Sequence, residues 1–533
     1  MRRGQRPTRL VLALSLALCA LLAAAFAVRS TRTGGGRGGA NANGRPGATA
    51  TADTSAADEP AEPPPPSHPR APRGAQFYAA PDGKADGDGS KARPWDLAGA
   101  LAGQAKLKPG DTLWLRGGVY KGIFKCKLAG TADKPILVAQ FTNERATIDG
   151  SLAVDGEWTT FWGFEVTNSN TTRTGERPTG VEVNGAHTKF INLVVHDAGN
   201  GFGCWSSAVD AELYGNIIYH NGWRELDRGH GHGIYMQNEE GTKLIRDNII
   251  FRQYGWGIHA YTEEGALKGL QFEGNVSFDN GAPAGARYDN ILVGGRQPAE
   301  RVTLVANYTY ETPTNGDTKP NVRLHYEAAN NKDLTVKDNY FAGGSPVASV
   351  ADWLTVTMTG NTFYGPKRLL ELSLPQGITA ASYAWDNNAY YGAGGAAVFS
   401  FQGQALDFAG WRRATSFDGG GSWNVIDAAR PAATKVFVRP NLYEPGRAHI
   451  IVYNWAKGET VDADVSGVIE RGAKYEVRSA QNFFGPPVLA GTYDGGPLRL
   501  PTGARKTASP VGANTDLPQT APEFNVFVLL KTA

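Results

Sequence analysis

The sequence predicts an all-β chain: a right-handed parallel β-helix, which is a solenoid of stacked coils, followed by a small antiparallel β-sandwich. Three observations lead there. A short phrase built around asparagine recurs every 22 to 32 residues through the middle of the chain. Glycine is abundant, at 67 of 533 residues, and helical periodicity is scarce, which favours many short strands joined by turns. The last hundred residues drop the phrase and read instead as short strands of alternating character.

The N-terminus comes first. Arg2, Arg3, Arg6 and Arg9 precede an apolar run from Leu10 to Val28. A basic start followed by such a run is an export signal, and Ala25-Phe26-Ala27 is an acceptable small-x-small cleavage site. The run is also long enough for an uncleaved membrane anchor, since ~20 apolar residues span a bilayer. Residues 1–28 are therefore read as signal peptide or anchor, and the mature chain as secreted or extracytoplasmic. Residues 29–74 are rich in Gly, Ala, Thr and Pro, with four prolines at 63–66. Such a composition buries no core and reads as a disordered tether.

Charge divides along the same line. Residues 1–74 hold ten Arg and four acids, a balance of +6, whereas the rest hold 43 basic and 47 acidic side chains, a balance of −4. The folded part lacks the global basic footprint of a nucleic-acid binder. A polyanionic ligand would have to be met by local arginines. Three cysteines offer neither a disulfide framework nor zinc spacing, so Cys126 and Cys204 are expected as buried thiols.

The repeat fills the next segment. Its copies centre on Asn192, Asn216, Asn248, Asn275, Asn307, Asn339, Asn361 and Asn388, at spacings of 24, 32, 27, 32, 32, 22 and 27. F-W-G-F-E-V, with Gly163 in the Asn place, reads as an earlier coil. A propeller blade needs four strands and ~40–45 residues, which most of these spacings cannot supply. Asn suits the corner of a coil because it tolerates left-handed backbone geometry. Its amide can also bond the neighbouring coil, so the copies are expected to form a buried structural ladder rather than a ligand site.

At this point the chain resembles a known group. Y-A-A-P-D-G from Tyr78 is followed by P-G-D-T-L-W-L-R-G-G-V-Y from Pro109, G-T-A-D-K-P-I from Gly130 and A-T-I-D-G from Ala146. Together these resemble the opening of pectate-lyase-like right-handed parallel β-helix proteins, which include pectate, alginate and chondroitin lyases. With the repeats, the resemblance covers residues 75–425. It implies the fold; hydrolases, epimerases and non-catalytic adhesins share that fold, so activity does not follow from it. D-F-A-G-W-R-R-A-T from Asp407 resembles a segment found where such helices end. Residues 434–533 then read as the β-sandwich, either an accessory domain of the kind attached to carbohydrate-active enzymes or a plain cap for the end of the solenoid.

A second strand follows each Asn phrase, beginning at Gly180, Gly201, Gly233, Gly257, Asn290 and Asn321. Side chains alternate across a strand. Val181, Val183, Phe202, Cys204, Ile234, Met236, Ile258, Ala260, Ile291, Val293, Val322 and Leu324 are expected to point inward. The outward column then reads Glu182 and Asn184, Gly203 and Trp205, Tyr235 and Gln237, His259 and Tyr261, Leu292 and Gly294, Arg323 and His325, with Arg296 just beyond. Six coils at ~4.8 Å make a strip of roughly 25 Å, the length of a short oligosaccharide. Aromatic faces suit sugar rings, and arginines can grip carboxylates with two hydrogen bonds.

Elimination on a uronate needs a cation at the carboxylate, a base for the C5 proton and an acid for the leaving oxygen. The residue types assign His259 as base, Tyr261 or Tyr235 as acid, and Arg323 or Arg296 as neutraliser. Glu182, Trp205, His232, Gln237, Arg296 and His325 are expected to bind substrate. His230 and His232 could face one side of a strand as a metal pair. No cofactor is demanded by the pattern; Ca²⁺ is the cation that Glu263, Glu264 and Asp289 could hold. The expected partner is a polysaccharide, met by a monomer. Two other readings stay open: a glycoside hydrolase or uronate epimerase on the same groove, for which no clear carboxylate pair is seen, and a non-catalytic carbohydrate-binding surface protein on a tether.

Overall fold

The computed structural model describes residues 74–532, apart from Ala105, Asn143, 314–318, 428–431 and 514–516. The predicted export segment and all but the last residue of the linker lie outside the described residues. Among the described residues, no helix is long and apolar enough to cross a membrane.

The chain winds into a right-handed parallel β-helix with three faces. One face is a twelve-stranded parallel sheet that runs from Gln76–Ala79 to Tyr383–Asp386. The other two join into one sheet because the long strands Gly118–Cys126 and Ala146–Val154 run across both. Those strands bend at Gly122 (φ 139°) and Gly150 (φ 152°). Only glycine fits there, since a Cβ on Gly150 would lie 1.9 Å from the Gly122 carbonyl oxygen. The twelve inward residues predicted for the second-strand face are all buried in the central core.

The asparagines stack as a ladder. Each side-chain amide from Asn216 through Asn361 donates to the carbonyl of the next, at 2.8–3.0 Å, and Asn388 ends the series on Asp418 at 2.9 Å. The same amides also reach main-chain carbonyls, for example Asn248 to Leu213 at 2.9 Å. Buried polar groups must be satisfied in this way.

Two expectations are corrected. The left-handed residue is the one before the ladder position: Gly215, Asp247, Gly274, Ala306, Asp338, Gly360 and Asn387 all have positive φ. Asn192 (φ 55°) and Gly163 (φ 74°) occupy this corner position, so the ladder places in their coils fall to Leu193 and Phe164. Asn192 instead bonds outward to Glu444 and Asn441. A second stack of Asn221, Gln253, Asn280, Asn290 and Asn321 lines the following turn, which the sequence reading missed.

Both ends of the solenoid are sealed by short helices. Leu97–Leu101, capped by Asp96, buries Leu97, Ala100 and Leu101. Phe408–Thr415, capped by Asp407, buries Trp411 against Phe399 and Trp385. The C-terminal sheets therefore do not cap the end. They lie on the flank, where a five-stranded antiparallel sheet and a two-stranded one enclose their own core. Strands Arg447–Tyr453 and Phe524–Lys531 are apolar at both parities because both faces are buried. Ile450, Val452, Phe527 and Leu529 face the module core, while Ile451, Tyr453, Val526 and Val528 pack on Tyr219, Phe251, Phe278 and Tyr310 of the solenoid. Cys126 and Cys204 are free and buried three coils apart, and burial pushes both thiols up to about 12.

Candidate functional site

The third face stays open. Its strands Val181–Val183, Phe202–Cys204, Ile234–Met236, Ile258–Ala260, Ile291–Val293 and Val322–Leu324 pair in parallel, each with the next. Their central residues fall into one register: Glu182, Gly203, Tyr235, His259, Leu292, Arg323. Stacking thus brings His259 and Arg323 to the same column, two rungs or ~10 Å apart along the backbone. The column is uneven, because Leu292 is buried and Gly294 gives no side chain.

Aromatic rings pave the middle. His259 lies between Trp256 (centroids 4.8 Å apart) and Tyr261 (5.1 Å), both nearly parallel to it. Tyr235 meets His259, His232 and Trp205 at 5.5, 5.7 and 5.6 Å. Tyr288 continues the floor from Trp256, and Arg228 sits over the Trp256 ring at 5.3 Å. Flat, partly exposed rings are the surface that a sugar's apolar face needs.

Hydrogen bonds orient this floor. Asp289, buried, accepts from Trp256 Nε1 at 3.0 Å and from Arg323 Nη2 at 3.1 Å. Burial raises its carboxyl to about 6 against the opposing pull of Arg323 and Trp256. The Trp256 backbone N–H points at His232 Nδ1 at 3.3 Å. His232 therefore carries its proton on Nε2 and donates it to His259 Nδ1, 3.2 Å away. Burial, with Arg228 and Arg323 nearby, lowers His259 to about 3; burial also takes His232 well below its usual value. Both rings are neutral at pH 7. His259 then keeps its own proton on Nε2, so its remaining nitrogen is a donor. The base role assigned to His259 from sequence does not fit this tautomer.

Residues 77–284 match the family model described as the Pel9A-like, right handed beta helix region. This segment therefore resembles a Pel9A-like right-handed β-helix. The chain is 24% identical over 222 residues to a pectate disaccharide-lyase of Dickeya chrysanthemi, a match covering 38% of this chain and 27% of that protein. The chain thus spans about a quarter of the length of the curated relative it matches. Among solved structures, pectate lyase Pel9A is similar at TM-score 0.42 and 16% identity, covering 68% of this chain and 83% of that one. A lacto-N-biosidase from Eubacterium ramulus is similar at TM-score 0.39 and 13% identity, covering 66% and 68%. The Pel9A-like segment carries Glu182 through Tyr261, whereas Asp289, Arg323 and His325 lie beyond it.

The remaining expected residues divide. Trp205 donates its indole N–H to Glu182, binding the two into one surface patch. Gln237 lies beside Tyr235, and burial holds that phenol above its usual range. Tyr261, also raised by burial, turns its hydroxyl to Glu263 at 3.4 Å. Arg296 is spent at the rim on Glu263 and Glu327, at 3.1 and 3.2 Å, which removes it as a free neutraliser. His325 pairs with Ser349 at 2.9 Å. The His230–His232 metal pair does not form: His230 faces Asp227 and stacks on Trp223, while His232 faces His259.

The acids named for Ca²⁺ do not converge either. Asp289 is occupied inside and Glu263 faces Arg296 at the rim. Among the described residues, no three His, Cys, Asp or Glu side chains gather to hold a metal. Trp256 and Arg228 are the parts that sequence reasoning passed over. Trp256 stands just before its strand, outside the two-residue alternation of Ile258–Ala260.

Proposed function

We propose that this chain acts on a uronate-containing polysaccharide laid along the open face and cleaves it by β-elimination. The observation that carries this reading is Arg323. Asp289 engages only one of its amino groups and the side chain is still 24% exposed, so terminal donors remain for a carboxylate. The His259 Nε2–H and the cationic surroundings set by Arg228 add to that site.

Arg323 and His259 take the uronate carboxylate and stabilise the charge that builds up as the C5 proton leaves. The proton carrier is Tyr235, because Tyr261 is turned to the rim. As phenolate, Tyr235 accepts the C5 proton; the C5–H electrons form the C4=C5 double bond as the bond to the leaving oxygen breaks. Tyr235 then returns the proton to that oxygen. Its raised range makes the phenolate scarce at pH 7, so the rate climbs with pH. The similarity to a pectate disaccharide-lyase supports the reaction class. The basic and apolar N-terminus supports export, cleaved or anchored through residues 10–28, and the protein works as a monomer.

The test incubates the full chain with alginate, polygalacturonate, chondroitin and heparosan while following the ultraviolet absorbance of an unsaturated uronate. Absorbance that appears with the wild type and falls about 100-fold or more in Arg323→Ala supports the reading. Reducing ends without that absorbance indicate hydrolysis. Binding without either indicates the carbohydrate-binding role that the aromatic floor alone would support.

A further inference from the structure

The charge pattern along the open face narrows the substrate class; this step rests on the groove binding uronate. From Glu182 to Glu371 the outward column reads Glu182, Gly203, Tyr235, His259, Leu292, Arg323, Ser349, Glu371. Arg323 is the one permanent cation in it. Arg228 and Lys319 approach the same middle zone from the flanking loops, close enough to act on His259 and Asp289. Between Glu182 and Glu371 the cationic zone is therefore central and single; beyond Glu182 the column runs on through Ala153 to Lys125, two rungs further away.

Acids bracket it. Glu182 lies five rungs to one side, tied to the Trp205 indole, with no cation within ion-pair distance among the described residues. Glu371 lies two rungs to the other side, only loosely met by Arg368 at 3.5 Å. At the rim, Arg296 is shared by two glutamates. A sugar residue is about as long as the ~4.8 Å coil spacing. A polymer made only of uronates would therefore place a carboxylate at nearly every rung. Most would find no cation, and some would face Glu182 or Glu371. Repulsion of this kind selects against a ligand as effectively as new contacts select for one. Neutral sugars meet no such obstacle, and the rings of Trp205, Tyr235 and Tyr261 suit them.

We propose that the groove takes a polysaccharide in which a single uronate, seated at Arg323, is flanked on both sides by uncharged sugars, rather than a continuous polyuronate. The test measures binding of the full chain to size-matched fragments of polygalacturonate and of deacylated gellan, a linear polymer with one glucuronate in four sugars, at equal uronate concentration. The sparse-charge fragments are expected to bind about tenfold tighter or more. In Glu182→Gln/Glu371→Gln the gap is expected to close, mainly through tighter polygalacturonate binding. Equal or tighter binding of polygalacturonate by the wild type overturns the inference. If that binding is still lost in Arg323→Ala, the groove reading survives without it. Failure of both fragments to bind overturns the groove reading, and the inference falls with it.

Discussion

Two faces of the same solenoid, built from the same coils, differ in what they turn outward. On the flank under the C-terminal module, the outward residues repeat from rung to rung: Tyr219, Phe251 and Phe278 stack at 5.1 and 4.9 Å, nearly parallel. Tyr310 continues the face and stacks on Phe524 of the module at 4.7 Å. On the open face no two successive rungs repeat, and Glu182, Tyr235, His259 and Arg323 share one column. Repetition serves packing, because identical neighbours stack at a fixed spacing. Irregularity marks a surface whose contacts are made with something other than itself.

That contrast can be broken from either side. The largest effect is expected at Arg323, where Arg323→Ala should lower kcat/KM by about 100- to 1,000-fold, far outweighing the modest fall in Tm from leaving buried Asp289 without its cation. Phe251→Ala should do the reverse. It removes a buried ring from the docking face at a cost of about 3–5 kcal/mol, lowering Tm with little change in kcat/KM of the folded fraction.

His259 separates donor from base. In His259→Gln an amide N–H can stand near Nε2, so activity should fall only about tenfold. In His259→Asn the amide sits too far back, and the loss should approach 100-fold. Equal loss in both would restore the base role. A direct readout is the imidazole nitrogen chemical shifts, which should show His232 and His259 both protonated on Nε2.

Asp289 gives a pH effect. With its carboxyl near 6, kcat/KM should fall as pH drops through that value, because protonation loosens its hold on Arg323 and Trp256. Asp289→Asn should flatten this limb. On stability the sign is opposite. The folded value lies above the unfolded one, so Asp289 costs stability as pH rises from about 4 to about 6. The asparagine variant should therefore be no less stable than wild type at pH 7. The buried histidines act the other way. His259 and His449, lowered to about 3, contribute stability that is present above ~6.5 and lost as pH falls toward 3.

Much of the fold was legible because its signal is local and periodic. The inward alternation of Val181, Phe202, Ile234 and Ile258 could be counted directly, and the ladder asparagines from Asn216 to Asn388 were read in their structural role. Asn192 was misplaced by one residue, since it belongs to the corner and a plain Asn does not reveal which of two adjacent places it fills. The apolar runs Ile217–Tyr219 and Ile249–Phe251 carry outward positions that must be covered, a point the sequence reading does not draw. What covers them is a contact more than 200 residues away, between Phe278 and Phe524, which no local pattern states. In the site, the face was legible and the roles were not. Whether His259 donates or accepts depends on the Trp256 amide and His232, and Arg296 is used up by glutamates from two other loops.

The most direct test of uronate elimination at the open face is product mass in water enriched with heavy oxygen. Fragments released by the full chain from a uronate polymer should carry an unsaturated end, lack one water relative to the hydrolysed product, and contain no heavy oxygen at the new ends; the Arg323→Ala chain should release almost none. Fragments that take up heavy oxygen and retain saturated ends would contradict the account.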